Sequence, residues 1–374
     1  MHFEFATAGR ILFGAGALSE LPSAAAKMGR RALVVARRST GPGRLGIGGE
    51  PVHFAIHGEP TVDVVRQGAQ AAREAACDFV IAFGGGSTID AGKAIAAVLG
   101  NSGDPLDYLE VVGRGNALAR PSAPFIAIPT TAGTGSEVTR NAVLGSPEHR
   151  VKASMRSPHM LPALAIVDPE LTLDLPPAIT ATTGLDALTQ LIEPYVSIRA
   201  NPLTDLYCVE GMRLAAGALR RAWHDGSDLA ARTDMSFASL LGGLALANAG
   251  LGAVHGFAAP LGGMFDAPHG ALCAALLPHA MRVNIAALAG SDRLARYAAV
   301  AGILTGRDNA TPEEGAAWVE QLCRDLEIQP LAAYGVRQAD VPALAEKAAR
   351  ASSMKANPIA LTRDQLEELL SRAI

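Results

Sequence analysis

Short, continuous apolar runs, most of them stopping at Gly, Pro or Asp, constrain this chain most. Arg31-Ala32-Leu33-Val34-Val35-Ala36, Asp78-Phe79-Val80-Ile81-Ala82-Phe83, Pro124-Phe125-Ile126-Ala127-Ile128 and Leu164-Ala165-Ile166-Val167 show almost no polar alternation, and Val52 to Ile56 reads as a further strand. Strands of this kind are covered on both faces, as in a parallel sheet. The spacers Ala17 to Met28, Thr61 to Ala76 and Thr88 to Leu99 are Ala-rich and helical in pattern. Strand and helix in alternation predict an α/β layer. Partial alternation from His2 to Phe13 around Gly9 predicts an opening hairpin.

After Pro176-Pro177 the strand-like runs nearly vanish. Helical patterns take over at Leu185 to Ile198, Leu203 to Trp223, Ser227 to Ala249, His279 to Thr305 and Pro312 to Leu326. With 374 residues the chain has room for two domains. The expected division is an α/β domain at 1–177 and an all-α domain at 178–374. Met235 to Phe265 contains no Asp, Glu, Lys or Arg, yet Ser236, Ser239, Asn248, His255 and repeated glycines interrupt it. A membrane span would be denser in Leu, Ile and Val, so the stretch reads as buried helices lining a site.

A net charge of -4 and 5% aromatic residues provide neither a basic surface nor a stacking platform. No nucleic-acid or membrane partner is expected. Cys77, Cys208, Cys273 and Cys323 form no CxxC pair and read as buried, reduced thiols of a cytoplasmic protein. Met1-His2-Phe3-Glu4-Phe5 lacks the basic and apolar regions of a secretory signal.

Two loops carry a nucleotide signal. Gly84-Gly85-Gly86 follows a strand directly, and Ser87 with Asp90 makes an S-x-x-D helix start. Glycines admit a pyrophosphate close to the backbone, and the helix end offers free N–H groups. A tight structural turn would read the same way. Ile128-Pro129-Thr130-Thr131-Ala132-Gly133-Thr134-Gly135-Ser136-Glu137 is a second strand running into a loop rich in hydroxyls. Two such loops at strand C-terminal ends are where open, Rossmann-like sheets bind ligands. Downstream, Asp186, His255 and His269 supply a carboxylate and two imidazoles, donors suited to a divalent transition metal. A nucleotide cradle with a metal set points to metal-assisted hydride transfer.

These motifs resemble the iron-containing (group III) alcohol dehydrogenase family, with its dehydroquinate-synthase-like fold. The matching residues are Gly84 to Ser87 with Asp90 and Lys93, Pro129 to Glu137, Asp168-Pro169, Gly184-Leu185-Asp186-Ala187, Pro268-His269-Gly270, Leu277-Pro278-His279, and Asn357-Pro358 with Leu361-Thr362. The resemblance implies a dinucleotide domain, a helical domain, a cleft between them and a homodimer. It implies NAD(P)-dependent interconversion of small-molecule alcohols with aldehydes or ketones. It further implies Fe²⁺ or Zn²⁺ held by Asp186, His255 and His269. Lys152 matches a cleft lysine and is expected at the nicotinamide ribose. Gly85, Gly86, Ser87 and Asp90 are expected at the pyrophosphate, and Thr130, Thr131, Thr134 and Ser136 along the path to the ring.

The chain departs from the family pattern at four positions. The usual His four residues after the Asp is Gln190, a neutral amide. Three readings stay open: a three-ligand site, a weakened four-ligand site including Gln190, or little metal dependence as in maleylacetate reductases. A His often found four residues after His255 is Ala259, and a Cys often found near the C-terminus is Ser353. After the strand ending near Val35, an Asp of many relatives is replaced by Ala36-Arg37-Arg38-Ser39-Thr40. Arg37 favours a 2′-phosphate, so NADP(H) is expected over NAD(H). Glu193 shares the helical face of Asp186 and Gln190 and could orient a ligand or pack, as could nearby Tyr195. His279 after Pro278 is read as opening a helix. A synthase-type lyase and a non-catalytic nucleotide binder are the competing functions.

Overall fold

In the computed structural model, residues 2–40, 45–149 and 151–374 are described. By contacts the chain divides into two compact units. One is Ala6–Thr131 with Gly135–Thr172, and the other is Leu173–Ile374 with Ala132–Thr134 and the N-terminal segment through Phe5.

The first unit is built on a six-stranded sheet. Its strands are β1 (Ile11–Phe13), β2 (Ala32–Ala36), β3 (Val52–Ala55), β4 (Phe79–Gly84), β5 (Phe125–Pro129) and β8 (Leu164–Val167), in the order β1-β8-β5-β4-β2-β3. Every pairing in it is parallel. Alternate side chains feed two cores. Leu33, Val35, Val80, Ala82, Phe125 and Ala127 pack with α2 (Val62–Glu74) and α3 (Gly86–Gly100). Ala32, Val34, Ile81, Ile126, Ile128 and Ile166 pack on the opposite face with α1 (Leu21–Ala25). Burial on both sides explains why these strands read as unbroken apolar runs.

The opening hairpin expected at His2 to Phe13 does not form. Of that segment only Ile11–Phe13 is strand, and it pairs with Ala165, Ile166 and Val167 from the far end of the unit. Asp168 anchors this edge, accepting from the N–H groups of Gly16 (3.1 Å), Leu18 (3.0 Å) and Glu170 (3.1 Å). A hairpin unforeseen in the sequence, β6 (Asn141–Ser146) with β7 (Val151–Arg156), forms a separate antiparallel ribbon.

The second unit is helical: α4 (Pro177–Val196), α5 (Pro202–His224), α6 (Leu229–Ala249), α7 (Ala253–Met264), α8 (His269–Ala287), α9 (Leu294–Thr305), α10 (Pro312–Asp325), α11 (Val341–Arg350) and α12 (Arg363–Ala373). Caps set many of the boundaries. Asn201, Thr311 and Thr362 form capping boxes at α5, α10 and α12, the first two followed by Pro at the first helical position. Gly250, at φ +73°, ends α6, and α7 leaves at 98° to it. The charge-free stretch is therefore two helices meeting at an elbow. α8 is long and apolar enough to span a membrane, but 72% of that window is buried within the protein, as in a core helix. Pro278 lies inside α8 and does not open a helix, and the single helix expected from His279 to Thr305 is the end of α8 plus α9.

Candidate functional site

In the first unit, the strand order reverses between β2 and β4: β2 is followed by β3 on one side and β4 on the other. The segment after β2 begins with exposed Arg37 and Arg38, and the turn after β4 is Gly85-Gly86-Ser87. Both follow strand C-terminal ends at the switch point, the position open sheets use for ligands. α3 begins at Gly86 with Gly85 as its N-cap and no side-chain cap. Its first N–H groups, on Gly86 and Ser87, precede any intrahelical acceptor. A Cβ on Gly85 would lie 3.3 Å from the Thr131 side chain, so a side chain there would crowd the space beside the neighbouring loop. Thr130 N–H donates to Gly84 O at 3.0 Å, tying the two loops together.

The S-x-x-D reading of this helix start is corrected by the structure. Asp90 does not cap α3. Its Oδ1 accepts from Ser136 Oγ, and its Oδ2 accepts from Val143 N–H at 2.9 Å, tying α3 to the hydroxyl loop and to β6. Lys93, only 1% exposed, completes this brace. Its Nζ donates to Ser136 O (2.7 Å), Ser136 Oγ (3.0 Å), Thr139 Oγ1 (2.9 Å) and Asn141 O (2.7 Å). Burial pushes its pKa down to about 8, against the pull of Asp90 and Glu137. Burial likewise pushes the Glu137 carboxyl up to about 7. Lys152 lies on β7 and is ion-paired with Glu59. Thr134 belongs with the helical unit.

In the helical unit, α4, α7 and α8 bring Asp186, His255 and His269 together. Asp186 Oδ1 lies 3.5 Å from His255 Nε2 and 3.8 Å from His269 Nε2. Asp186 is 1% exposed, and this oxygen has no hydrogen-bond partner. Cys273, one turn after His269 on α8, places Sγ 3.9 Å from His255 Nε2 and 3.6 Å from His269 Nε2. One donor atom from each of these four residues lies within 4.8 Å of all the others. Gln190 is buried against the Asp186 carboxylate, with its Oε1 unpartnered.

Glu193 orients the set. Its Oε2 accepts from His255 Nδ1 at 2.7 Å, leaving Nε2 to face Asp186 and Cys273. Its Oε1 accepts from Val254 N–H at 2.7 Å, capping the first turn of α7. Asn357 accepts from Ala253 N–H at 3.1 Å beside it. A Cβ on Gly252 would lie 2.9 Å from both acceptors, so glycine is required for this approach. Tyr195 takes no part; its ring packs under the Arg296 guanidinium at 4.1 Å.

Burial alone would lower the His255 pKa, but Cys273, Asp186 and Glu193 outweigh it and hold it well above the ordinary value. His269 is raised to about 9 in the same way, against burial, by Cys273 and Asp186. Burial would raise the Asp186 carboxyl, but His269, His255 and Gln190 hold it below the usual range. A carboxylate, two imidazoles and a thiol facing one space are donors that a divalent cation would bind on displacing their protons. The orphaned Asp186 oxygen, the convergent nitrogens and the carboxylate behind one imidazole all fit such an ion.

A parallel sheet with a glycine turn at its switch point and, in the helical unit, four donor groups that could hold a cation fit the class of dinucleotide-dependent oxidoreductases. Comparison with known proteins narrows this. Residues 8–169 match the sequence profile of iron-containing alcohol dehydrogenase, and residues 180–374 match that of the Fe-containing alcohol dehydrogenase family, C-terminal. The chain belongs to the iron-containing alcohol dehydrogenase family and is an enzyme that interconverts alcohols with aldehydes using a nicotinamide dinucleotide. It is 42% identical to 1,3-propanediol dehydrogenase of Klebsiella pneumoniae over 79% of this chain and 75% of that one. It is 34% identical to sulfoacetaldehyde reductase of Bilophila wadsworthia over 99% and 98%. The crystal structure of a 1,3-propanediol oxidoreductase superposes with TM-score 0.92 at 34% identity, covering all of both chains.

Proposed function

We propose that residues 1–177 bind the dinucleotide and residues 178–374 bind the metal and substrate. Asp186, His255 and His269 would hold a divalent cation, which supplies Lewis-acid polarisation of a carbonyl oxygen. The observation that carries this reading is Asp186 Oδ1, buried and unpartnered within 4 Å of two imidazole nitrogens. Asp186 contributes the negative charge, Glu193 fixes the His255 ring, and His269, the most exposed member, marks the side from which a small substrate approaches. Gln190, with its free oxygen, remains a candidate neutral donor.

For the cofactor, the Gly86 and Ser87 N–H groups at the α3 terminus suit the pyrophosphate, with Gly85 keeping the turn open. Thr130, Thr131 and Thr134 offer hydroxyls toward the nicotinamide end. Asp90 and Ser136 serve by fixing that loop, and Lys152 would exchange Glu59 for a ribose hydroxyl. Exposed Arg37 favours NADP(H) over NAD(H), although a sulfoacetaldehyde reductase from Bifidobacterium kashiwanohense, 30% identical with TM-score 0.88, was solved with NAD+. The exposed Leu206 and Val209 side chains on α5 would suit a second copy in a homodimer, and four free, buried cysteines suit the reducing cytoplasm.

The test is aldehyde-dependent oxidation of NADPH and NADH by the metal-loaded protein and by Asp186→Ala. Turnover should be lost in the variant while cofactor binding persists. Undiminished turnover in Asp186→Ala overturns the assignment.

A further inference from the structure

We infer that Cys273 is the fourth protein donor of the metal site, and that its thiolate tunes the site toward Zn²⁺ over Fe²⁺. The inference rests on the proposed Asp186, His255 and His269 centre and extends it. Its basis is distance. Around a tetrahedral zinc, bonds of about 2.0–2.3 Å set donor atoms roughly 3.3–3.7 Å apart. The measured separations are 3.5 and 3.8 Å from Asp186 Oδ1 to the imidazole nitrogens, and 3.6 and 3.9 Å from Cys273 Sγ to the same nitrogens. Four of the six edges of the donor tetrahedron are thus close to the required length, and all six lie within 4.8 Å.

Both imidazole Nε2 atoms converge on Sγ, at 3.9 and 3.6 Å, so the sulfur shares the space that the two nitrogens face. The carboxylate oxygen facing the same space is unpartnered and buried, an independent sign that the set is built for something more. Gln190 also has an unpartnered oxygen, but a thiolate is charged and far the stronger donor to a borderline-soft cation. A sulfur donor would not close the site to chemistry, because zinc can accept a further ligand beyond four. The other cysteines stay outside the set: Cys323 donates to Ala274 O, and Cys77 and Cys208 are buried elsewhere.

The experiment is titration of the metal-stripped full-length protein with Co²⁺ under anaerobic conditions. The wild type and Gln190→Ala should show a near-ultraviolet thiolate-to-cobalt charge-transfer band saturating at one equivalent, and Cys273→Ser should lack it. Zinc affinity should fall in Cys273→Ser by more than the ~10–100-fold typical of second-shell changes, with a smaller loss for Fe²⁺. Visible d–d bands at one equivalent without the charge-transfer band would overturn the role of Cys273 while leaving a three-residue centre intact. Loss of metal in Gln190→Ala with retention in Cys273→Ser would also overturn it. Absence of any stoichiometric cobalt binding would remove the underlying centre as well. Zinc-edge X-ray absorption on the wild type, which needs no variant to fold, should find one sulfur at about 2.3 Å. A shell of nitrogen and oxygen alone refutes the inference.

Discussion

Replacing Glu193 by Gln separates metal tuning from helix capping. Glu193 makes two 2.7 Å bonds, to His255 Nδ1 and to Val254 N–H. A Gln amide oxygen can keep the Val254 bond. Its NH₂ then faces Nδ1, which must become an acceptor, and the ring proton moves to Nε2, the nitrogen aimed at Asp186 and Cys273. The imidazole loses its donor lone pair where it is needed. A partner of this kind contributes about 10–100-fold to metal affinity, or roughly 1.4–2.8 kcal/mol. The cap survives, so metal-free stability should change by less than about 1 kcal/mol. Glu193→Ala instead orphans both buried donors, at about 1–3 kcal/mol each. Chelator competition gives the affinities, and thermal melts of metal-stripped protein give the stabilities. The opposite amide orientation would keep the bond to His255 Nδ1 and weaken the cap instead. Metal affinity left unchanged in folded Glu193→Ala, which lacks both bonds, would refute the orienting role.

Other perturbations test the nucleotide half. Lys93→Met removes a buried cation with four acceptors; denaturant unfolding should show a loss of about 3–5 kcal/mol. Glu137 holds its proton up to about pH 7 when folded and only to its ordinary value of 4.5 when unfolded. The native state therefore binds more protons in that window, and stability should fall as pH rises from 4.5 to 7; Glu137→Gln should flatten the slope, measurable by melts across pH. Arg37→Ala should raise the NADPH Kd about tenfold, the scale of one exposed charge-assisted bond, with little change for NADH. Equal effects on both cofactors in fluorescence titrations would remove Arg37 from 2′-phosphate recognition.

The α/β layer was legible because strands buried on both faces leave an uninterrupted apolar signature, as at Val80 to Phe83. Pairings that depend on distant partners were not. Ile11–Phe13 looks like half a hairpin locally, but its partner is Ala165 to Val167. Asp90 sits where a cap would, yet its nearest partners are Ser136 and Val143. Pro278 reads as a boundary, but α8 passes through it. Asp186, His255 and His269 were visible as residue types, and Glu193 at the seventh position after Asp186 was visible as sharing its helical face. Cys273 belongs to no CxxC pair, so cysteine spacing alone does not mark it. The spacing that mattered joins unlike donors: His269 and Cys273 are four apart on α8, the same interval that separates Asp186 from Gln190 on α4.

Metal content per chain tests the central assignment most directly. After exhaustive dialysis of zinc-loaded protein, elemental analysis should find one divalent ion per wild-type chain and far less in Asp186→Ala, His255→Ala and His269→Ala. Unchanged content in Asp186→Ala, with the variant still folded, would contradict it.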